Sequence, residues 1–182
     1  KVLRLINFLE SNNHPHTLDY LAFERIKRAA KKIKEQNPLF AGDLGFKHYT
    51  LQEPDANTID QMLKFEPTLL FGDNLLDKFG KDTVLSTYAM RDGYGLTPEF
   101  KEVKFGSYTA YLCGKHLYML DSVFNVEEDL TDLVDTYNKD HSFPADNVVI
   151  FGYSFNFSQT DAIKKNLGAI TDRNRINVDI RY

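Results

Sequence analysis

Apolar residues recur at helical spacing in the first part of the chain and predict two helices there. The first covers residues 2–10, where a strand is the alternative and helical spacing of the apolar residues favours a helix. The second covers 18–36 with Thr17 as a potential cap. Asn37-Pro38 ends the second helix, because a residue before proline disfavours the helical conformation. The apolar positions of the second helix share one face and are Leu18, Ala22, Ile26, Ala29, Ala30 and Ile33.

The pattern becomes more irregular after the second helix. Alternating side chains predict a strand over 46–51, and a polar loop over 53–57 follows it. Short helices are predicted over 59–65 and 69–79, with Pro67 between them. The polar loop over 53–57 is the best candidate for a domain boundary in the chain.

A short helix and a three-stranded meander come next. Asp82 and Thr83 can cap the helix, and Asp92-Gly93 ends it, since glycine accepts the left-handed conformation of helix C-termini. The helix is expected to bury Val84, Leu85, Tyr88 and Ala89. Strand-like runs follow over 99–105, 107–113 and 116–121. Gly106 and Gly114-Lys115 separate these runs and are typical of hairpin turns.

The last third of the chain alternates helices and strands. The predicted elements are an acidic helix over 126–140, an apolar strand over 147–153, a helix from the cap Ser158 to Ile170, and a strand over 176–182. The acidic helix is expected to bury Leu130, Leu133, Val134 and Tyr137 and to expose Glu127, Glu128 and Asp132. The order βββ-α-β-α-β predicts an α+β fold, in which N-terminal helices precede a mixed, largely antiparallel sheet with helices packed on one face.

Composition restricts the function classes. The chain has 182 residues and a net charge of -4, so it is not uniformly basic, although a local basic face is allowed. A single cysteine, Cys113, excludes a disulfide framework and indicates a reducing, intracellular compartment. No apolar run approaches the roughly 20 residues of a membrane span, and the N-terminus lacks signal-peptide features. The chain starts without methionine inside a predicted element, and we expect a piece of a longer protein.

Familiar catalytic motifs are missing from the sequence, including GxGxxG, the Walker loop and HExxH. Gly152-Tyr153-Ser154 lacks the second glycine of a nucleophile elbow, so a turn is favoured over a hydrolase built on Ser154 or Cys113. His14 and His16 flank a proline, but spacing places no third metal ligand, and a polar loop is favoured.

The second predicted helix carries the best functional signal from composition. From Glu24 to Lys34 it has six positive charges and one negative charge. Such a face can neutralise DNA phosphates without sequence preference, whereas the alternative is an ordinary solvated helix surface. The candidate DNA contacts are Arg25, Lys27, Arg28, Lys31 and Lys32.

Several segments resemble the modification subunits of type III restriction–modification systems. ERIKRAAKKI at 24–33 resembles a helix of these subunits, with Asn12-Asn13 before it and GDLGFK at 42–47 after it. Five more segments resemble their C-terminal region in the same order: TVLST at 83–87, DGYGL at 92–96, LYMLD at 117–121, FGYSF at 151–155 and IRY at 180–182. The resemblance spans nearly the whole chain.

These subunits are S-adenosylmethionine-dependent adenine-N6 DNA methyltransferases, and the resemblance implies the C-terminal portion of one. The implied division is a tail of the methyltransferase domain over 1–53, a helical connector over 54–92 and a C-terminal α/β domain over 93–182. The family's Asp-Pro-Pro-Tyr motif and Phe-x-Gly-x-Gly loop, which hold the flipped adenine and the methyl donor, do not occur in this sequence. No catalytic or cofactor-binding residue is therefore carried over, and the segment alone is expected to be inactive.

The resemblance also implies partners. It implies S-adenosylmethionine as cofactor of the parent enzyme, with no metal, and contact with DNA through that parent. It implies a dimer of modification subunits that holds a restriction subunit, in the cytoplasm and away from membranes. The alternative is a non-catalytic module that docks a partner subunit, since the acidic helix over 126–140 suits protein contacts better than DNA.

Overall fold

The computed structural model describes residues 2–51, 53–54, 56–64, 75–171 and 175–182. Contacts between residues divide the chain into two compact units, Lys1–Leu51 and Gln52–Tyr182.

The first unit contains the two predicted helices, α1 (Val2–Ser11) and α2 (Leu18–Gln36). The strand predicted over 46–51 is wrong, because the described part of this unit contains no other strand with which it could pair. Its alternating aromatic residues instead contact α2. The ring of Phe46 stacks on that of Phe23 at a centroid distance of 5.4 Å.

The second unit begins with α3 (Ala56–Leu63), α4 (Leu75–Phe79) and α5 (Lys81–Arg91). Of the two short helices predicted here, the first starts three residues earlier than expected, and residues 69–74 of the second lie outside the described part. The cap of α5 is Gly80 and neither Asp82 nor Thr83, and this end of the helix has no side-chain capping hydrogen bond among the described residues. The end at Asp92 and Gly93, where φ is +88°, is as predicted.

Five strands form one sheet in the order β1-β2-β3-β4-β5. They are β1 (Lys101–Phe105), β2 (Tyr108–Cys113), β3 (His116–Met119), β4 (Asn147–Phe151) and β5 (Asn177–Arg181). The first three strands form the predicted antiparallel meander, and β3, β4 and β5 run parallel. The mixed sheet after N-terminal helices confirms the predicted α+β class, with antiparallel and parallel pairings in equal number.

Helices cover both faces of the sheet and not one face as expected. Successive side chains of a strand point to opposite faces, so Leu117 and Tyr118 of β3 belong to different apolar cores. Leu117 packs in the core under α6 (Glu128–Lys139) and α7 (Phe157–Gly168), and Tyr118 packs in the core under α4 and α5. The strand β4, buried on both faces, lies between β3 and β5.

The N-cap of α7 is Asn156 and not the expected Ser158. The Asn156 side chain accepts a hydrogen bond from the Gln159 backbone N–H at 2.9 Å, and the Gln159 side chain accepts one from the Asn156 N–H at 2.9 Å. This reciprocal pair is a capping box, which satisfies two orphan donors of the first turn. Ser158 lies one position inside the helix and does not cap it.

Candidate functional site

The basic surface of α2 consists of the predicted DNA contacts Arg25, Lys27, Arg28, Lys31 and Lys32, and all five are exposed. Arg28 lies over the ring of Phe8 at 4.8 Å, and its Nε is 3.5 Å from Glu24 Oε2. Lys31 Nζ is 3.9 Å from Glu35 Oε1. The side chains of Arg28 and Lys31 are 67% and 79% exposed, so each ion pair contributes little stability and leaves the cation accessible to a phosphate.

Helical geometry places the basic surface on one side of α2. At about 100° per residue, the five cations spread over roughly 160° of the helix circumference. The predicted apolar stripe lies on the remaining side. This stripe is not covered by the described residues, because Leu18 is 83% and Ile26 is 44% exposed, and α2 has no buried residue.

A polar network at the end of α5 was not predicted. Asp92 accepts two hydrogen bonds from the Arg181 guanidinium, at 2.9 Å from Nη1 and 2.7 Å from Nη2. It also accepts one from the Tyr118 hydroxyl at 2.8 Å. Arg181 Nε donates to Asp179 Oδ2 at 2.6 Å. The side chains of Asp92 and Arg181 are only 8% and 9% exposed, so this ion pair is buried.

Burial and neighbouring charge shift the pKa of Asp92 in opposite directions. Burial alone would raise the pKa of Asp92, but the hydrogen bonds and charge of Arg181 and Tyr118 outweigh it and hold the pKa below its usual range. Burial raises the pKa of the Tyr118 hydroxyl, and the adjacent Asp92 carboxylate raises it further. The network therefore keeps Asp92 ionised and Tyr118 protonated.

Tyr94 and His116 extend the network toward the sheet. The Tyr94 hydroxyl accepts a hydrogen bond from the Lys115 N–H at 2.9 Å and shares another with His116 Nδ1 at 2.7 Å. His116 Nε2 is 3.9 Å from Asp92 Oδ1. The Asp92 carboxylate is engaged by Arg181 and Tyr118, so this cluster joins α5 to β3 and β5.

The other sequence candidates do not form a catalytic or metal-binding arrangement among the described residues. No group among the described residues hydrogen-bonds the buried Ser154 hydroxyl, so no general base contacts it there. Cys113 is buried, and burial raises the pKa of its thiol. His14 packs on Tyr20 at 5.0 Å, and His16 pairs with Glu10 at 3.3 Å.

Metal binding and membrane insertion have no support in the part of the chain that the structure describes. Among its residues, no three His, Cys, Asp or Glu side chains lie close enough together to hold a metal ion. No helix in the described part of the chain is long and apolar enough to cross a membrane.

One buried carboxylate in α6 was also missed. The predicted core positions of α6 are correct for Leu130, Leu133 and Tyr137. Asp129, however, is fully buried and accepts hydrogen bonds from the N–H groups of Ser107 at 2.8 Å and Asn125 at 2.7 Å. Its spacing of four residues from Leu133 placed it on the buried face, which is the signal that could have revealed it.

Comparison with known proteins now identifies the family. The family model described as "Type III R-M EcoP15I C-terminal domain" matches residues 79–176, which is more than half of the chain. The chain belongs to this family. The matched region contains α6, α7 and the first four strands. It also contains the polar network except for its two members in β5, Asp179 and Arg181.

Three relatives extend the similarity to almost the entire chain. The Mod subunit of the type III restriction–modification enzyme StyLTI from Salmonella typhimurium is 28% identical over 92% of this chain and 29% of its own length. The EcoP15I Mod subunit from Escherichia coli is 30% identical over 91% of this chain and 24% of its own length. The EcoPI Mod subunit from Escherichia phage P1 is 23% identical over 94% of this chain and 27% of its own length. The chain thus spans about a quarter of the length of these relatives.

Proposed function

We propose that this chain is the C-terminal part of a type III modification subunit, an S-adenosylmethionine-dependent adenine-N6 DNA methyltransferase that works in the cytoplasm. The family match over 79–176 carries this proposal, and the ordered similarity to three Mod subunits supports it. In this proposal residues 1–53 are the tail of the catalytic domain, 54–92 a connector and 93–182 the C-terminal domain. The exposed apolar stripe of α2 supports the first assignment, because such a stripe requires a further apolar surface.

The chemistry of the parent enzyme lies outside this chain in our proposal. The sequence contains neither the Asp-Pro-Pro-Tyr nor the Phe-x-Gly-x-Gly motif that the family uses for the adenine and the methyl donor. We therefore expect no methyl transfer by the isolated chain. Calorimetry with S-adenosylmethionine is the direct test, and micromolar binding to residues 1–182 would overturn this assignment.

The basic surface of α2 is the proposed contribution to DNA binding. A methyltransferase that flips a base must also grip the surrounding duplex, and phosphate contacts serve that purpose. The five exposed cations are suited to such contacts, whereas the second unit presents the acidic helix α6. The predicted contact is with the DNA backbone and carries no sequence preference.

A salt titration of duplex DNA binding tests this contribution. The test variant is Lys27→Gln/Lys31→Gln/Lys32→Gln, which avoids Arg28 because that side chain also packs on Phe8. A matched control, Lys101→Gln/Lys104→Gln/Lys164→Gln, removes three exposed lysines from the second unit and gives the same net charge, -7 in place of -4. We expect the log–log salt slope of the test variant to fall by about 0.9 for each phosphate that the removed lysines neutralise.

The control separates local contact from overall charge. If both variants change the slope equally, only net charge matters and the basic surface has no special role. If the wild-type chain does not bind duplex DNA at low salt, the DNA contribution is refuted. The family assignment of the chain would then remain, and the subunit-docking alternative would be the one to pursue.

The alternative is a non-catalytic module that docks a partner subunit, either a second modification subunit or a restriction subunit. The exposed acidic side chains at the start of α6 favour it. Glu127→Lys/Glu128→Lys should then reduce co-purification with a co-expressed restriction subunit. Glu99→Lys/Glu102→Lys, a matched charge reversal near β1, should not reduce it, and equal recovery of both variants would count against docking through α6.

A further inference from the structure

A group of aromatic rings lies beside the basic surface of α2. Its centre is Phe23 of α2, on which the ring of Phe46 stacks at a centroid distance of 5.4 Å. The ring of His48 lies 4.5 Å from that of Phe23, and the ring of Tyr20 meets it edge-on at 5.5 Å. We call these four residues the aromatic cluster. All four belong to the first unit, so the cluster is formed within that unit alone.

The aromatic cluster is not the buried core of its unit. Among the described residues 2–51, only Leu9 is buried. Phe46 is 42% exposed and His48 is exposed as well, whereas Tyr20 and Phe23 are half-buried. Because Phe46 stacks with one face on Phe23, its exposed surface includes the other face of the ring. Clustered aromatic surface that stays exposed is typical of a binding site.

Helical geometry continues the aromatic cluster into a row of lysines. Five positions of α2 fall within roughly 80° of its circumference, and they are Tyr20, Phe23, Lys27, Lys31 and Lys34. Successive members are three or four residues apart, which places their Cβ atoms about 5–6 Å from each other. The row contains three lysines and no acidic residue. Glu24 and Glu35 flank the row and pair with Arg28 and Lys31.

Aromatic rings beside a row of cations match the chemistry of a nucleic acid strand with unpaired bases. Every base has a face that can stack on an aromatic side chain, and lysines neutralise the phosphates between successive bases. A regular duplex keeps its bases paired and stacked on one another, so it can use the lysine row but not the rings. The aromatic cluster therefore supplies a contact that binding to the duplex backbone does not require.

We infer that the aromatic cluster stacks unpaired bases of single-stranded DNA, while the adjacent lysine row holds the phosphates of the same strand. The exposed rings of Phe46 and His48 are the stacking surface, and Lys27 is the nearest cation of the row on α2. This inference rests on the proposed DNA contribution of α2 and names its substrate class, DNA with unpaired bases. Such bases arise wherever a nucleotide is extruded from the duplex. Stacking carries no sequence preference, in agreement with the backbone contact proposed above.

Abasic oligonucleotides separate base stacking from phosphate contact. One probe is a fluorescein-labelled single-stranded oligonucleotide, and the second has the same length and phosphates but no bases. Fluorescence anisotropy with the whole chain at low salt should give a Kd at least about fivefold lower for the strand with bases. Phe46→Leu keeps an apolar side chain next to Phe23 but removes the ring, so it should lose most of this preference. Phe40→Leu removes a ring that is 46% exposed in the same unit but outside the aromatic cluster, and it should keep the preference.

A tryptophan reporter tests the stacking contact directly, because the chain contains no tryptophan of its own. Phe46→Trp places a single indole in the aromatic cluster, and stacking on a base should quench its fluorescence. Phe157→Trp is the matched reporter, at an apolar residue of the second unit that is 63% exposed, and its fluorescence should stay unchanged. The abasic strand should quench neither reporter. Circular dichroism checks that every variant keeps the helix content of the wild type.

The outcomes distinguish this inference from the proposed function. If the strands with and without bases bind with equal Kd, base stacking is refuted, while the backbone contact of α2 still stands. If the preference for bases survives in Phe46→Leu, or falls equally in Phe40→Leu, the aromatic cluster is not the site of stacking and the inference is overturned. If neither strand nor duplex DNA binds at low salt, both the inference and the DNA contribution of α2 are refuted.

Discussion

Replacement of Asp92 by asparagine should destabilise the second unit more than any surface charge change. The substitution keeps the shape of the side chain but removes the charge that faces Arg181. Arg181 is 9% exposed and would retain only Asp179, and the Tyr118 hydroxyl would lose its anionic acceptor. Asn at this position therefore leaves a buried guanidinium with one carboxylate in place of two.

The expected magnitude follows from the cost of an incompletely paired buried charge. Removal of one partner from a buried ion pair typically costs about 3–5 kcal/mol. The remaining contact between Arg181 and Asp179 at 2.6 Å offsets part of that loss, so we expect a value near the lower limit, about 3 kcal/mol. This is a large share of the roughly 5–15 kcal/mol by which a typical domain is stable.

Urea unfolding followed by circular dichroism measures this cost against a matched control. Asp135→Asn also removes a paired aspartate, but Asp135 and Lys139 are 44% and 76% exposed, so its cost should stay below about 1 kcal/mol. The comparison also carries a pH signature. The folded pKa of Asp92 is depressed, so its contribution is present above the ordinary value of 3.8 and is lost as pH falls through the folded pKa.

The gap in stability between wild type and Asp92→Asn should therefore shrink on acidification below about pH 4. If Asp92→Asn and Asp135→Asn lower the free energy of unfolding equally at neutral pH, the buried network does not stabilise the fold more than a surface ion pair does, and the reasoning is refuted. If the difference in unfolding free energy between the wild type and Asp92→Asn stays constant down to the lowest pH at which both proteins fold, the pairing of an ionised Asp92 with Arg181 is refuted.

Two further predictions concern turns and caps. Asn156→Ala should cost about 1 kcal/mol because it removes the capping box of α7, whereas Ser158→Ala should change the unfolding free energy by less than about 0.5 kcal/mol. Gly106→Ala should cost about 1–3 kcal/mol, since φ is +56° and the added Cβ would lie 2.5 Å from Asp129 Oδ1. Gly168→Ala, whose Cβ meets no atom within 4 Å, is its control and should be neutral or stabilising, and thermal unfolding compares each pair.

The elements that sequence periodicity predicted well are those with strong local signals. The meander strands and the helices α1, α2, α6 and α7 appear within a few residues of their predicted positions, because alternation and helical spacing are properties of neighbouring residues. The cap of α7 was misplaced because Asn156 and Ser158 are both good capping residues, and only the return contact from Gln159 distinguishes them.

The predictions that failed required information about distant residues. The strand predicted over 46–51 has suitable side chains but no partner among the described residues of its unit, and a strand is defined by its pairing. The placement of helices on one face of the sheet failed because α5 precedes the sheet, and only contacts to Tyr118 and Val149 assign it to the second face. Periodicity along the chain cannot supply either kind of contact.

The polar network shows why motifs that are separate in sequence belong together. The segments 92–96, 117–121 and 180–182 supported the family resemblance as isolated strings, and each contributes one member of the network: Asp92, Tyr118 and Arg181. The pair Asp92–Arg181 is 89 residues apart in sequence. Because a buried arginine is tolerated only with a carboxylate in place, these segments constrain one another through a single ion pair. A structural role of this kind accounts for their co-occurrence in one chain.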